Sequence, residues 1–304
     1  MDVILKADSL EKRFGNTVAV DSISFEVFQG EIFGFLVPNG AGQTTSIKMM
    51  SGLLEPDNGK VIINCKNNNN TIGVCPQNII IWENLTCLEQ VVYMGKMYIM
   101  SPIESTIRAN ELLESLGLID QKDKLAKTLS GGMQRRLNIA LALIHSPAIV
   151  FLDEPQAGLD PQSRVLIRDY IRSIKNKTTV ILTTHDMEEA EKLSDRICII
   201  DKGKILAIGT TEEIKKVSGQ EDLIEIEIKG NIQSELIPFL KIDTNDYKLT
   251  SENSAYFKIN DPYATFEDIL GVIREKNIKV NNLRLRKKSL EDIFINMTGR
   301  SLRE

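Results

Sequence analysis

Two adjacent carboxylates follow directly after a short apolar run. Val150-Phe-Leu152 leads into Asp153 and Glu154. Acids at the end of a buried strand are costly unless they meet a cation or polarise water. In this position we expect Asp153 to approach a Mg²⁺ ion and Glu154 to orient or deprotonate an attacking water. The structural alternative is an acid pair that only caps the next helix.

A second candidate lies where a predicted strand, Ile32–Val37, enters a glycine-containing turn ahead of a predicted helix from about Thr44. The segment from Val37 to Thr44 occupies the position of the pattern G-x-x-x-x-G-K-[ST], although not every residue matches it. In such loops backbone N–H groups and the helix N-terminus hold phosphate oxygens, and the hydroxyl binds Mg²⁺. Gly42 and Thr44 match the pattern, and Gly40 adds a further glycine to the loop. Alone the signal is weak, because small residues in a strand–helix turn also serve structure.

The most specific feature is Leu129-Ser-Gly-Gly-Met-Gln-Arg-Arg136. A Ser-Gly-Gly turn at a helix N-terminus presents N–H donors and a hydroxyl to an anion. A simple N-cap followed by flexible glycines is the alternative. The Gln-Arg-Arg that follows, and the two carboxylates further along the chain, argue against it.

The elements that must position these residues alternate between strand and helix. This alternation predicts a largely parallel sheet with helices on both faces. The predicted elements are paired strands at Val3–Ala7, Val18–Val20 and Ile23–Val27, strands at Ile149–Leu152, Val180–Thr183 and Ile197–Ile200, and helices from Gly131, Pro161 and Met187.

Residues from about Thr86 to Lys127 are predicted to be helical. Thr86 and Glu89 have the spacing of a capping box. Further on, apolar residues recur at helical spacing and predict a stripe packed on the core. They are Ile103, Ile107, Leu112, Leu113 and Leu116.

A domain boundary is predicted near Val217–Asp222. We expect one domain over 1–218, with a helical subdomain at about 86–135, and a small α+β domain over 222–304. In the second domain, Leu223–Ile228 alternates apolar and acidic residues like a half-exposed antiparallel strand. Strands at Tyr256–Ile259 and Val280–Arg286, a helix near 265–276 and a last helix opened by a capping-box-like Ser289-Leu-Glu-Asp292 complete it.

Composition excludes several classes of function. The 304 residues carry a net charge of −5, which argues against a nucleic-acid partner. No apolar stretch approaches the roughly 18–20 residues that span a bilayer. Met1 is followed by an acid, unlike a signal peptide. The 4 cysteines have irregular spacing, typical of reduced thiols, so we expect a cytoplasmic protein.

Taken together, the motifs resemble those of the ATP-binding-cassette ATPases. Seven segments stand in that family's order across residues 12–186. They resemble the adenine-stacking aromatic (Phe14), the Walker A loop (37–45), the Q-loop (Gln77), the signature (Ser130-Gly-Gly132), the Walker B pair (Asp153-Glu154), the D-loop (Gly158-Leu-Asp160) and the switch histidine (His185).

The resemblance implies a fold, cofactors and residue roles. The fold is an α/β P-loop cassette with a mixed, mainly parallel sheet and a helical subdomain, and the cofactors are ATP and Mg²⁺. The implied catalytic residues are Glu154 and His185, and the implied metal site comprises Thr44, Gln77 and Asp153. Implied nucleotide contacts are Phe14, Val20, Asn39, Gly40, Ala41, Gly42, Gln43, Thr44, Thr45, Ser130, Gly131, Gly132 and Asp160.

The resemblance also implies partners. Cassettes of this family work as head-to-tail pairs, so the signature and Asp160 would serve the nucleotide of a second cassette. Residues 289–304 resemble the ending of drug- and sodium-exporting cassettes, including the daunorubicin-resistance type. That group pairs with a separate integral-membrane permease, which implies a location on the inner face of the cell membrane.

Two residues depart from the family pattern. Val37 stands where the loop begins with glycine, and Gln43 stands where it has lysine. Gln is neutral and shorter, and Val is strained if the position needs φ > 0 or close backbone approach. We therefore expect weakened ATP turnover by a transport ATPase. The alternatives are a catalytically silent regulatory cassette, and a soluble cassette of repair or translation, whose fused cassettes or coiled-coil insertions are not visible here.

Overall fold

The computed structural model describes residues 2–37, 43–65, 72–217, 222–240, 247–259, 262–286 and 288–298. The predicted phosphate-loop residues Asn39–Gly42, the asparagine run at 67–70 and the chain end from residue 299 lie outside these ranges. The chain divides into two compact units, one up to Thr211 and one from Glu212 to Gly299.

The first unit alternates strands and helices. Its first elements are β1 (Val3–Phe14), β2 (Thr17–Phe28), β3 (Ile32–Leu36), α1 (Gln43–Met50), β4 (Asn58–Ile63) and β5 (Ile72–Cys75). Three helices follow, α2 (Cys87–Met97), α3 (Pro102–Ser115) and α4 (Gly131–Leu143). The rest comprises β6 (Ile149–Asp153), α5 (Pro161–Ile174), β7 (Thr179–Thr184), α6 (Met187–Leu193), β8 (Arg196–Asp201), β9 (Lys204–Gly209) and the helix α7 (Thr211–Val217), which begins at the unit's last residue.

A 6-stranded sheet of order β5-β6-β7-β3-β8-β9 forms the centre of this unit. Its first five strands are parallel, and β9 runs antiparallel to β8. β3, β6 and β7 are buried along their whole lengths, as expected for parallel strands that are covered on both faces. The predicted α/β fold with a mixed, mainly parallel sheet is confirmed.

Alternate residues of the central strands enter two separate cores. Val150 and Leu152 of β6 pack with the helical side of the unit. Ile149 and Phe151 pack with β1, β2 and α1 on the other face. That second face is closed by a 3-stranded antiparallel sheet of order β2-β1-β4. The alternation follows from the period of two in a strand.

The helices α2 and α3 form a close pair. The predicted capping box at the start of α2 is confirmed, since the Thr86 hydroxyl accepts the Glu89 N–H at 3.1 Å and the Thr86 N–H donates to the Glu89 carboxylate at 2.8 Å. Gly95 allows the two helices to approach, because an added Cβ there would lie 2.9 Å from the Ser105 hydroxyl oxygen.

The predicted apolar stripe of α3 is wrong in its first half. Ile103 and Ile107 are 75% and 57% exposed, whereas Leu112, Leu113 and Leu116 are buried. The buried face of the helix is formed by Ser105, Ala109, Leu112 and Leu113. The step from 107 to 112 is five residues, about 500°, which turns the two isoleucines away from the leucines. Small polar and alanine positions, not the isoleucines, make the helix contact.

The second unit is a 4-stranded antiparallel sheet of order β11-β12-β10-β13 with helices packed on it. Its elements are β10 (Asp222–Ile228), α8 (Ile232–Glu235), β11 (Tyr247–Ser251), β12 (Ser254–Ile259), α9 (Pro262–Glu275), β13 (Val280–Arg286) and α10 (Leu290–Thr298). The predicted opening of the last helix is confirmed, because the Ser289 N–H donates to the Asp292 carboxylate at 2.8 Å and the Asp292 N–H to the Ser289 hydroxyl at 3.3 Å. β11 and α8 were not predicted.

None of the helices within the described ranges has both the length and the apolar character that crossing a membrane requires.

Candidate functional site

Asp153 and Glu154 lie at the carboxyl end of β6, in the interior of the central sheet. Each residue is only 3% exposed. β7 runs alongside in parallel register, with Thr183 opposite Asp153. The Thr183 hydroxyl donates to Asp153 Oδ1 at 2.6 Å and accepts the Glu154 N–H at 3.0 Å. The order of the sheet thus brings an acid pair and a threonine from distant parts of the sequence together.

Burial raises the pKa of Asp153 above its usual value, and hydrogen bonds from Thr183 and Thr44 oppose that rise. A desolvated carboxylate with a hydroxyl beside it suits a cation, because the positive charge stabilises the ionised form. Mg²⁺ commonly takes one or two carboxylates, with substrate phosphates and waters completing its shell. The Asp153–Thr44 pair therefore fits Mg²⁺. Within the described residues no group of three or more His, Cys, Asp or Glu side chains could hold a metal by itself.

Glu154 has a left-handed backbone with φ of 51°. For a residue with a Cβ this conformation costs about 1–2 kcal/mol. The carboxylate Oε1 lies 2.8 Å from Nδ1 of His185, which follows β7. The side chain of Glu154 is 4% exposed and that of His185 is 48% exposed. Glu154 is thus held inside the protein while its partner reaches solvent, an arrangement suited to polarising a water at the surface of the site.

Val37, at the start of the predicted phosphate loop, is buried and does not have a left-handed backbone conformation. Its side chain is 1% exposed and packs in the core beneath the three-stranded sheet. Its N–H donates to the Thr184 carbonyl at 3.3 Å, and it is not among the described residues that have positive φ. The first of the two conditions for strain at this valine, a positive φ, is therefore not met. Valine here extends β3 by one buried position.

The remainder of the phosphate loop is described only from its helix. Asn39, Gly40, Ala41 and Gly42 lie outside the described residues, and for Gln43 only the backbone, as the first residue of α1, is described. Thr44 and Thr45 follow in the first turn and are half-buried. Among the described loop residues, Thr44 interacts with the acid pair, through a side-chain hydrogen bond that opposes the rise in the pKa of Asp153.

The Ser-Gly-Gly turn lies at the start of α4. Ser130 is its N-cap and accepts the Met133 N–H at 3.3 Å, while Gly131 is exposed. Asp160 caps α5 in the same way, accepting the Ser163 N–H at 2.9 Å. A Cβ added at Gly132 would lie 3.0 Å from the Ser163 hydroxyl oxygen. The two helix starts are therefore adjacent. The residues described in contact with Asp153 and Glu154 lie elsewhere, namely Thr44, Thr183 on β7 and His185 after β7.

Three further predicted residues lie elsewhere. Gln77 is exposed, two positions after β5. Phe14 is 53% exposed at the end of β1, with Nζ of Lys12 6.0 Å from its ring centroid. Val20 is 1% exposed and packs in the core. Phe14 therefore offers a ring face to a ligand, but Val20 offers almost none of its surface.

Two residues of the site, Thr183 and Glu189, were not identified from the sequence. Glu189 is held by the neighbouring Thr184, whose hydroxyl donates to Glu189 Oε2 at 2.9 Å and accepts the Asp186 N–H at 3.0 Å. The available signals were the Thr-Thr pair before His185 and the spacing of Asp186 and Glu189, which is that of a helix start. Neither signal reveals which hydroxyl contacts which acid.

Glu189 provides a measurable pH dependence. Burial, then the negative charges of Asp186 and Glu154, raise its pKa to about 7, against an ordinary 4.5, while the Thr184 hydrogen bond opposes the rise. The folded protein then keeps a proton that the unfolded chain loses, so this residue's contribution to stability falls as pH rises from about 4.5 to about 7. We therefore expect the free energy of unfolding of Glu189→Gln, measured relative to that of the parent, to increase by about 1–3 kcal/mol between pH 5 and pH 8.

Urea unfolding of both proteins across that pH range checks the expectation. Glu188→Gln is the matched control, since the side chain of Glu188 is 75% exposed and its removal leaves the buried acid in place. A difference between parent and Glu189→Gln that does not change with pH would show that Glu189 is ionised throughout.

The arrangement defines a class of protein. Carboxylates at the carboxyl end of a central parallel strand, with a threonine from the first turn of a neighbouring helix hydrogen-bonded to one of them, are typical of phosphate-loop nucleotide-binding proteins. Comparison with known proteins narrows the class. A model of the ABC transporter family matches residues 20–157.

Relatives that align with nearly the whole chain belong to the same class. The chain is 37% identical to the linearmycin resistance ATP-binding protein LnrL of Bacillus subtilis (strain 168), over 99% of this chain and 100% of that protein. It is 34% identical to the daunorubicin/doxorubicin resistance ATP-binding protein DrrA of Streptomyces peucetius, over 97% of this chain and 92% of that protein. A solved ATP-binding subunit of an ABC transporter, 27% identical, superposes with a TM-score of 0.65 over 71% of this chain and 93% of its own. The chain belongs to the ABC transporter family, as an ATP-binding subunit of the exporter type.

Proposed function

We propose that this chain hydrolyses ATP to drive export through a separate permease, and that it does so as one of two paired cassettes. The observation that carries the catalytic part is the buried Glu154 carboxylate held 2.8 Å from His185 beside Asp153. A general base must be positioned and desolvated, and Glu154 is both. The names of the relatives, which describe drug-resistance ATP-binding proteins, support export.

Five residues of the site have a part in the proposed reaction. Mg²⁺, when bound, would neutralise negative charge on the phosphates of ATP. Asp153 and Thr44 would hold that ion, and Gln77 would reach it from the exposed turn after β5. Glu154 would orient and deprotonate the attacking water. His185, half exposed beside Glu154, would donate a hydrogen bond to the terminal phosphate.

A paired arrangement is supported by the exposed Ser-Gly-Gly turn. Ser130 and Gly131 are exposed at the N-terminus of α4, where N–H groups and the helix dipole favour an anion. Their described partners, and those of Asp160, are other residues of the helix starts and not the carboxylates. A second chain that brings its own nucleotide to this turn would complete both sites.

We propose that the permease binds at a groove that Pro76, the residue before Gln77, helps to line. The groove has a volume of about 250 Å³ and is lined largely by apolar side chains, among them Val74, Ile81 and Met94. At its rim Ile80 and Trp82 are 65% and 40% exposed. Exposed apolar side chains that border a groove are typical of a protein–protein contact. Copurification with an integral-membrane protein distinguishes this assignment from a cassette that acts without a permease.

A complementation experiment tests the pairing. Gly131→Asp places a negative charge where the second chain's phosphates would lie, and a Cβ there meets no described atom within 4 Å, so the chain itself should fold normally. Glu154→Gln removes the proposed base. We expect each variant alone to be inactive, and an equal mixture to recover about a quarter of the parent rate, because half of randomly formed pairs are mixed and each has one intact site of two.

Gly271→Asp is the control, since Gly271 is also helical and exposed with no described atom within 4 Å of an added Cβ. It should keep the parent activity. A mixture of Gly131→Asp and Glu154→Gln that stays inactive, while both chains pair and bind ATP, would contradict sites shared between chains. If parent turnover is too slow to follow, both variants are made with Gln43→Lys.

A further inference from the structure

Thr183 joins the two carboxylate residues through one hydroxyl group. Its Oγ1 accepts the Glu154 N–H at 3.0 Å, and a backbone amide can only donate. The single hydroxyl hydrogen is then directed to Asp153 Oδ1, 2.6 Å away. Thr183 itself is 1% exposed. The direction of both hydrogen bonds is therefore determined by chemistry and not by a choice of rotamer.

The backbone of Glu154 needs such a partner. It has φ of 51° directly after a buried strand, a conformation that residues with a Cβ rarely adopt. The bond from its N–H to Thr183 holds this turn, and the turn directs the carboxylate towards His185. Strained conformations persist where surrounding contacts over-determine them, and they are concentrated at functional sites.

The neighbouring threonine cannot replace Thr183. Successive residues of a strand point to opposite faces, so Thr184 contacts Glu189 and Asp186 instead of the acid pair. The Thr184 carbonyl accepts the Val37 N–H, on the strand that leads into the phosphate loop. The two threonines thus connect β7 to different parts of the site.

We infer that Thr183 is a positioning residue, which orients Asp153 for Mg²⁺ and holds Glu154 turned towards the attacking water. This inference rests on the proposed ATP hydrolysis and assigns a role to a residue outside the recognised motifs. A hydroxyl is required, because valine has the same shape but can neither accept the Glu154 N–H nor donate to Asp153.

Calorimetric titration with ATP, in EDTA and at several Mg²⁺ concentrations, tests the inference. Half of the Mg²⁺-dependent gain in ATP affinity is reached at a certain Mg²⁺ concentration, and we expect Thr183→Val to raise that concentration by about 10-fold. We also expect the substitution to lower kcat by about 10- to 100-fold. ATP affinity in EDTA should not change, and Thr183→Ser, which keeps the hydroxyl, should restore both properties.

Thr178→Val is the matched control. Thr178 is also a buried threonine, 8% exposed, and its hydroxyl donates to the Pro147 carbonyl at 3.2 Å, away from the acid pair. An equal Mg²⁺ dependence in Thr183→Val and Thr178→Val, or failure of Thr183→Ser to restore it, would overturn the inference. If Thr183→Val does not fold, Thr183→Ala takes its place. A parent protein that does not bind ATP would instead contradict the proposed function.

Discussion

Glu154→Gln is expected to lower kcat for Mg·ATP hydrolysis by about 10²- to 10⁴-fold, the usual contribution of a positioned general base. The substitution keeps the size of the side chain. The new amide can still hydrogen-bond to His185, whose Nδ1 lies 2.8 Å from Glu154 Oε1 in the parent protein. The substitution removes the negative charge that accepts a proton from water. Because the change affects the transition state, kcat and kcat/KM should fall together while ATP affinity is kept.

The measurement is steady-state phosphate release at saturating Mg·ATP, beside calorimetric ATP affinity. Glu188→Gln is the control, since it makes the same chemical change on a side chain that is 75% exposed and paired with Lys192. A Glu154→Gln protein that keeps its kcat would show that another group activates the water. A loss of kcat in both variants would point to a general effect of lost charge.

Gln43→Lys is expected to raise kcat/KM by about 10- to 150-fold, the equivalent of one charge-assisted hydrogen bond of about 1.5–3 kcal/mol. A lysine here would bring a positive charge to the β- and γ-phosphates, which glutamine does not carry. The other expected groups are in place, since Thr44 contacts Asp153 and Glu154 contacts His185. The loop is therefore expected to respond to restoration of this single charge.

The same phosphate-release assay and calorimetry apply, with Gln233→Lys as a control for added charge at an exposed position in the second unit. An increase specific to Gln43→Lys supports a transport ATPase that works below its full rate. If the parent already hydrolyses ATP as fast as Gln43→Lys, backbone amides and the helix N-terminus suffice. If both are silent but bind ATP, the regulatory alternative is favoured.

Val37 illustrates how the backbone conformation at a departure from a motif is decided by the tertiary structure. The pattern has glycine at that position, which raised the expectation of strain at a β-branched residue. In the structure Val37 packs in the core and has no left-handed backbone. Its N–H bonds to the neighbouring strand, so the residue behaves as an extension of β3. Gln43 therefore remains the departure with a predicted chemical consequence.

The α3 helix marks a different limit. Its existence follows from local signals, with Ser101 as N-cap and Pro102 as the first helical residue. Which face is buried does not, because Ile103 and Ile107 have the hydrophobicity of core residues and yet are exposed. Burial depends on the neighbouring helix, and Gly95 of α2 selects the small side chain of Ser105. Such a choice requires knowledge of both surfaces.

The mixed, mainly parallel α/β fold, the segments that carry chemistry and the family could all be predicted from the sequence, because these depend on local patterns. Strand–helix alternation, caps and the order of short motifs are readable along one chain. Two features required the tertiary structure, namely the hydrogen bonds of Thr183 to both acidic residues, 29 and 30 positions away, and the burial that raises the pKa of Glu189 to about 7. Hydrogen-bond partners and desolvation depend on which strands lie side by side, and no local pattern in the chain specifies that.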